Sequence, residues 1–184
     1  MQVLVRELDG PHQRVMVGLP GENDADLDQT VNLMLALKAS HRRLRFVLGL
    51  SSFVPKAQTP FQWSGRDRSS GAKIEYLRKR LAGAGVEVRA ESHNWSDIQA
   101  LISRGDRRLT RALVSLAGGA ANLGAWRQAM RQGSSDSPPL DFFVFREIPR
   151  AETLPWSHLV DLSRAGSLEG HMRQASELMR SQPA

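Results

Sequence analysis

The chain has 184 residues, of which 41% are hydrophobic and 24% charged, and a formal net charge of +6. These proportions are those of an ordinary globular protein and exclude a wholly disordered chain, and no apolar run approaches the roughly 20 residues that span a bilayer. The cysteine count is 0, which excludes disulfides, thiolate nucleophiles, zinc-thiolate sites and cysteine-ligated iron–sulfur clusters for this chain acting alone.

The first residues, MQVLVRELDG, have neither a basic leader nor a long apolar stretch, so the expected location is cytoplasmic. Apart from Lys38, Lys56, Lys73 and Lys79, all 25 basic residues are arginines. The positive balance favours polyanions as partners, although a preference for arginine also follows from base composition.

Val15, Met16 and Val17 form a short apolar run that stops at Gly18-Leu19-Pro20-Gly21, the pattern of a strand ending in a tight turn. A helix should start at Asn23 or Asp24, with Leu27, Val31, Met34 and Leu35 on one face. Arg45 to Leu50 (RFVLGL) reads as a buried parallel strand, which makes a βαβ unit. In FVPKAQTPFQW, Pro55 and Pro60 forbid a long helix or a central strand, leaving an ordered loop. Ile74, Leu77 and Leu81 then line a helix that ends at Gly83 and Gly85, and Val86-Glu87-Val88 alternates as a strand.

Beyond this the pattern is helical. Ser96 and Gln99 suggest a capping box for a helix carrying Trp95, Ile98, Leu101 and Ile102. Leu109, Leu113 and Leu116 mark the next helix, and Leu123, Trp126 and Met130 another. GSSDSPP over residues 133–139 is the clearest linker. Phe142 to Phe145 reads as a strand or a buried extended segment, and Leu168, Met172, Ala175 and Met179 mark a terminal amphipathic helix. The expected organisation is an α/β segment over 1–92, a helical extension over 93–132, the linker, and a segment over 140–184 that includes the last helix.

Three places carry chemistry. GLPGEND lies at the carboxyl end of a parallel strand, where α/β proteins bind ligands, but Glu22, Asp24, Asp26 and Asp28 repel phosphate. The plainer reading, acidic residues complementing a helix dipole, is preferred. Lys56, Gln58 and Gln62 stand among Phe53, Phe61 and Trp63, a pattern that fits a pocket wall and a lid over a core equally. Arg104-Gly105-Asp106-Arg107-Arg108 with Arg111 suits phosphate backbones, yet an Asp–Arg network fixing a turn is favoured over nucleic-acid contact. His12, His41, His93, His158 and His171 show no metal-site spacing.

The strings RVMVGLPGENDADLDQTVNLM, SSFVPKAQTPFQW, IQALISRGDRRL and LPWSHL, in that order, resemble the C-terminal half of radical S-adenosylmethionine proteins. The likeness runs over about residues 14–180 and is to an uncharacterised bacterial, often cyanobacterial, branch in which a cobalamin-binding-like region can come first. It implies an α/β fold that is the C-terminal part of a partial (β/α)6 barrel, followed by a mainly helical extension. Arg14 to Gly18 would be the fifth strand and Arg45 to Ser51 the sixth. The resemblance also implies that Met16, Val17, Gly18, Leu19 and Pro20, with Ser52, Phe53, Val54 and Pro55, cradle the adenosyl group of S-adenosylmethionine. Met16 stands where the family's strand motif has Ile, Glu22 falls one place late, and Gln58 stands where relatives have His.

The family's four-iron four-sulfur cluster is held by a Cys-x3-Cys-x2-Cys loop, and this chain has no cysteine to supply it. The resemblance therefore implies a truncated or split member that contributes part of the cofactor pocket and is inactive alone. Its partner would be a cysteine-bearing N-terminal half encoded upstream, and an open barrel edge would favour self-association. The alternatives are a small basic RNA-binding module and a non-catalytic gene remnant.

Overall fold

The computed structural model describes residues 6–7, 11–119, 122–132, 138–159 and 162–181, which fall into two compact units. The first holds the described residues up to 53 together with 67–93, and the second holds 54–66 and those from 94 onward.

In the first unit β1 (Arg6–Glu7), β2 (Pro11–Val17), β3 (Phe46–Ser52) and β4 (Val86–Ala90) form one sheet in the order β1-β2-β3-β4. β1 pairs antiparallel with the start of β2, and the other pairs are parallel. Helix α1 (Asp24–Ser40) joins β2 to β3, as the apolar spacing predicts. It starts where Asn23 caps it: the Asn23 side chain accepts from the N–H groups of Ala25 at 2.8 Å and Asp26 at 3.2 Å, and the Asp26 carboxylate accepts from the Asn23 N–H at 3.0 Å. Such a cap contributes about 1 kcal/mol. Helix α2 (Ser70–Ala82) buries Ile74, Leu77 and Leu81, the three positions its spacing marks.

Strand register decides which face these helices cover. Val15 pairs with Leu50 and Leu50 with Ala90, while Leu48 pairs with Val88 and Phe46 with Val86. All of these side chains belong to the core that also contains Leu27, Val31 and Met34 of α1 and Ile74, Leu77 and Leu81 of α2. The opposite face carries the other residues of the alternation: Arg14 beside Gly49 and Arg89, and Met16 beside Ser51.

The partial barrel that the resemblance implies does not form. A barrel needs further parallel strands on both outer edges. Among the described residues β2 takes an antiparallel neighbour, and β4 ends the sheet. The sheet is therefore open. The α/β class holds, with both helices of this unit packed on one side.

The second unit is helical among the described residues. It contains α3 (His93–Arg104), whose first residue belongs to the other unit, a 3-10 turn at Arg107–Leu109, α4 (Thr110–Leu116), α5 (Leu123–Gln132), α6 (Leu140–Val144), a 3-10 turn at Ser157–Leu159 and α7 (Leu162–Ser181). Its core joins Ile98, Leu101, Leu109, Ala112, Trp126, Met130, Phe143 and Val144. A smaller cluster of Ile148, Leu154 and Trp156 packs with Ala57 and Trp63 of the loop.

Two local expectations are corrected. Ser96 is not a cap, because α3 begins at His93 and places Ser96 inside the helix, buried. Ile98 and Leu101 face the core, while Trp95 and Ile102 stay exposed, so the helix turns a narrower face inward than the expected set. Phe142 to Phe145 is not a strand: Leu140–Val144 is a short helix entered from Pro139, whose carbonyl accepts the Phe142 N–H at 3.0 Å. A four-residue apolar run has no period long enough to separate the two states, and Pro at a helix entry tips it toward helix. Most of the expected linker, residues 133–137, lies outside the described residues. In α7, Leu168, Met172 and Ala175 are half-buried, while the side chain of Met179 lies outside the described residues. Among the described residues no helix is long and apolar enough to cross a membrane.

Candidate functional site

The carboxyl end of β2 runs into a turn with two glycines in the left-handed region, Gly18 at φ +82° and Gly21 at φ +82°. Pro20 before Gly21 is the pairing a type II turn requires, and the Glu22 N–H closes the turn on the Leu19 carbonyl at 3.1 Å. Gly18 is needed for a second reason. A Cβ there would sit 2.5 Å from Ser70 Oγ and 3.2 Å from Asp67 Cβ. The glycine thus serves packing against the start of α2.

Glu22 folds back under this turn. Its Oε2 accepts from the Gly18 N–H at 2.7 Å and from Lys73 Nζ at 2.9 Å, and the same ammonium lies 2.9 Å from Asp67 Oδ2. Asp67 also accepts from the N–H of Ser69 at 2.8 Å and from its hydroxyl at 2.7 Å. Burial works against the charge on Lys73, but hydrogen bonds to Asp67 and Glu22 raise its pKa above the ordinary lysine value. Burial likewise pushes Asp67 up, and hydrogen bonds from Lys73 and Ser69 outweigh it and bring Asp67 below the ordinary carboxylate value. The strand-end turn is thus a rigid ledge locked to α2. Lys73 and Asp67 carried no motif of their own in the sequence, and a lone lysine on a helix gives no sign of the turn it holds.

The residues expected to cradle an adenosyl group divide by orientation. Val17 is fully buried in the core and Gly18 is buried, its N–H already used by Glu22. Ser52 pairs with Val17 on the helix-covered face, where its buried Oγ has no hydrogen-bond partner among the described residues. Phe53 is buried and donates its N–H to the Val17 carbonyl at 2.8 Å. Pro20 is half-buried, and Leu19 is exposed in the turn. Met16 is 45% exposed on the face opposite the helices, next to Ser51. Val54 and Pro55 belong to the second unit, where Val54 packs against its core and Pro55 is fully buried. On that face exposed Met16 pairs with half-buried Ser51, and two residues back along β3 the half-buried Gly49 lies between Arg14 and Arg89. Ser51 comes beside Met16 only through register across two strands, which no single strand's sequence states.

The loop of residues 54–66 uses its polar groups internally. Gln62 Oε1 accepts from the Gln58 N–H at 3.1 Å and from Trp156 Nε1 at 2.6 Å, Gln58 Nε2 donates to the Leu159 carbonyl at 3.2 Å, and Lys56 Nζ donates to Ser103 Oγ at 3.0 Å. The Gly65 backbone approaches α6 so closely that a Cβ would lie 2.2 Å from the Phe145 carbonyl oxygen. These bonds fit a lid over the second core.

The Asp–Arg network read from the sequence is present. Asp106 caps the 3-10 turn by accepting the Arg108 N–H at 2.8 Å and takes the Arg108 side chain through Nε and Nη2 at 3.0 and 2.7 Å. Arg108's own side-chain bond, ahead of burial, lowers the Asp106 pKa, and the same bond raises that of Arg108. Arg104, 3% exposed, donates to the carbonyls of Phe143, Val144 and Arg146.

Neither unit supplies a cluster site. The chain has no cysteine, and among the described residues no three His, Asp or Glu side chains gather as metal ligands. The donor set does not fit an iron–sulfur cluster.

The architecture defines an open-sheet α/β unit followed by a helical one. No family profile matches the chain, and no solved structure matches it. It is similar to an uncharacterised protein of Methanocaldococcus jannaschii, 34% identical over 98 residues that make up 53% of this chain and 22% of that protein. The chain thus aligns with about a fifth of the length of that relative.

Proposed function

We propose that the chain is an accessory part of a radical S-adenosylmethionine enzyme, contributing a wall of the S-adenosylmethionine pocket and relying on a cysteine-bearing partner for the cluster. The observation that carries this reading is the pairing of exposed Met16 with Ser51, beside Gly49, at the carboxyl ends of two adjacent parallel strands. Open α/β sheets bind ligands at this end. A thioether beside two small residues offers dispersion contact to a purine face, and Arg14 and Arg89 flank Gly49 on the same face of the sheet. The Glu22–Lys73 lock keeps the neighbouring turn fixed, so the ligand does not have to order it.

In such enzymes the cluster supplies the electron and chelates the amino and carboxylate groups of S-adenosylmethionine. This chain does neither. What its residues supply is contact to the adenosyl end: the Met16 side chain, the Ser51 hydroxyl and the Gly49 backbone. Contacts of that kind alone give binding of about millimolar strength, about 4 kcal/mol.

The test is anaerobic reconstitution with iron, sulfide, reductant and S-adenosylmethionine, first with this chain and then with an upstream-encoded cysteine-bearing protein added. 5′-Deoxyadenosine should appear only with both, and Met16→Lys should reduce it. Formation by the lone chain, or an equal yield with and without this chain, would overturn the reading.

A further inference from the structure

The second unit contains a cleft of about 690 Å3, within the range of small-molecule pockets. Its polar wall is built from Arg104, Arg107, Arg108 and Arg146 against Asp106 and Glu152. Four arginines face two carboxylates, an excess of two positive charges before His158 is counted. We propose that this cleft binds the dianionic phosphate of a small phosphomonoester, with the organic part of the ligand against Phe142, Ile148 and Leu154.

The carboxylates do not consume the arginines evenly. Asp106 takes Arg108, and Glu152 takes both terminal nitrogens of Arg146 at 2.6 and 2.8 Å. Arg104 is buried and meets only backbone carbonyls, so its charge has no carboxylate partner among the described residues. Its Nε is buried without an acceptor among the described residues, and so is Nε of Arg146. Burial, and secondarily the nearby Arg146, depress the Arg104 pKa to about 10. A buried cation beside a second cation is the environment that an incoming anion relieves. Arg107 is exposed at the rim, and its guanidinium makes none of the hydrogen bonds or ion pairs of the described residues.

The wall is also held still. The Arg146 guanidinium lies 4.1 Å from the Phe142 ring centroid and that of Arg108 lies 5.1 Å from it, while Phe142 meets Phe143 edge to face with centroids 5.3 Å apart. Stacked and carboxylate-braced guanidinium groups present planar donor forks, which match phosphate oxygens better than ammonium groups do. The apolar residues of the same cleft argue for a phosphate carried on an organic body. Its residues come from the SRGDRR string and from residues 142–158, neither of which the strand-end site uses.

The experiment is calorimetric titration of the full chain with ribose 5-phosphate, ribose, inorganic phosphate and a 12-nucleotide single-stranded RNA. Ribose 5-phosphate should bind at least about tenfold tighter than ribose and tighter than inorganic phosphate. Arg107→Ala, at an exposed position that leaves the fold intact, should weaken it about tenfold, while Arg111→Ala, outside the cleft, should leave it within about twofold. Absence of saturable ribose 5-phosphate binding, or an unchanged affinity in Arg107→Ala, would overturn the proposal. So would RNA binding tighter than the sugar phosphate, with a log–log salt slope of about −0.7 for each of several phosphates, since the surface would then be one for nucleic acid.

Discussion

Replacing Gly18 by alanine tests the claim that the strand-end turn is locked to α2. Alanine at φ +82° carries a backbone strain of about 1–2 kcal/mol. Its Cβ would also lie 2.5 Å from Ser70 Oγ, whose hydroxyl is held by the Asp67 carbonyl at 2.7 Å, so relief requires breaking that bond or shifting α2. Overpacking of this kind costs a further 1–3 kcal/mol or so. The expected destabilisation is about 3 kcal/mol, read as the shift in urea midpoint by far-ultraviolet circular dichroism. Ser70→Ala alone should cost about 1 kcal/mol for its lost hydrogen bond. In the double variant the Oγ clash is gone while the φ strain stays, so the two changes should be less than additive by about 1–2 kcal/mol. All four tryptophans lie in the second unit, so fluorescence followed in parallel reports that unit separately. A Gly18→Ala protein within about 0.5 kcal/mol of wild type, or strict additivity with Ser70→Ala, would refute the close packing of turn and helix.

The Lys73 lock makes stability depend on pH at both ends. Asp67 has a lowered pKa, so its contribution is complete above the ordinary value of 3.8 and lost as pH falls through the folded value; Lys73 has a raised pKa, so its contribution is complete below 10.5 and lost as pH rises through the folded value. Lys73→Met should flatten the alkaline limb and cost about 1–2 kcal/mol at neutral pH, discounted for partial exposure; an unchanged alkaline limb in urea titrations would count against the lock. Arg104→Met should destabilise the second unit by about 3 kcal/mol by leaving the carbonyls of Phe143, Val144 and Arg146 without their donor, and Arg104→Lys should recover less than half, because an ammonium has no fork to span them. Equal stability of the Lys variant and wild type by tryptophan fluorescence would contradict the forked geometry.

The first unit was largely legible because its signals are local. Asn23 announces α1, Leu27, Val31 and Met34 give its face, and Ile74, Leu77 and Leu81 do the same for α2. The barrel failed because closure depends on what pairs with the outer edges of β2 and β4, and no residue of a strand states its neighbour. The grouping of the expected strand-end residues was not legible for a related reason: alternation sends Val17 and Ser52 toward the helices and Met16 to the other face, so only part of the set shares a surface. In the second unit the SRGDRR string was visible as a network, whereas Arg146, Glu152 and His158 join it only through the chain's return some 40 residues later. The helix at Leu140–Val144 was lost to the brevity of its apolar run.

The role assigned to the strand-end patch is tested most directly by titrating methyl-13C-methionine-labelled protein with S-adenosylmethionine and with 5′-deoxyadenosine. The chain has 6 methionines, with Met16 exposed at the patch and Met34 buried in the core of the same unit. The Met16 methyl resonance should shift along a saturable curve with a midpoint of about 1 mM for both ligands, while Met34 stays fixed. A Met16 resonance that does not move up to about 10 mM of either ligand, or moves no more than Met34, would contradict the adenosyl-binding role.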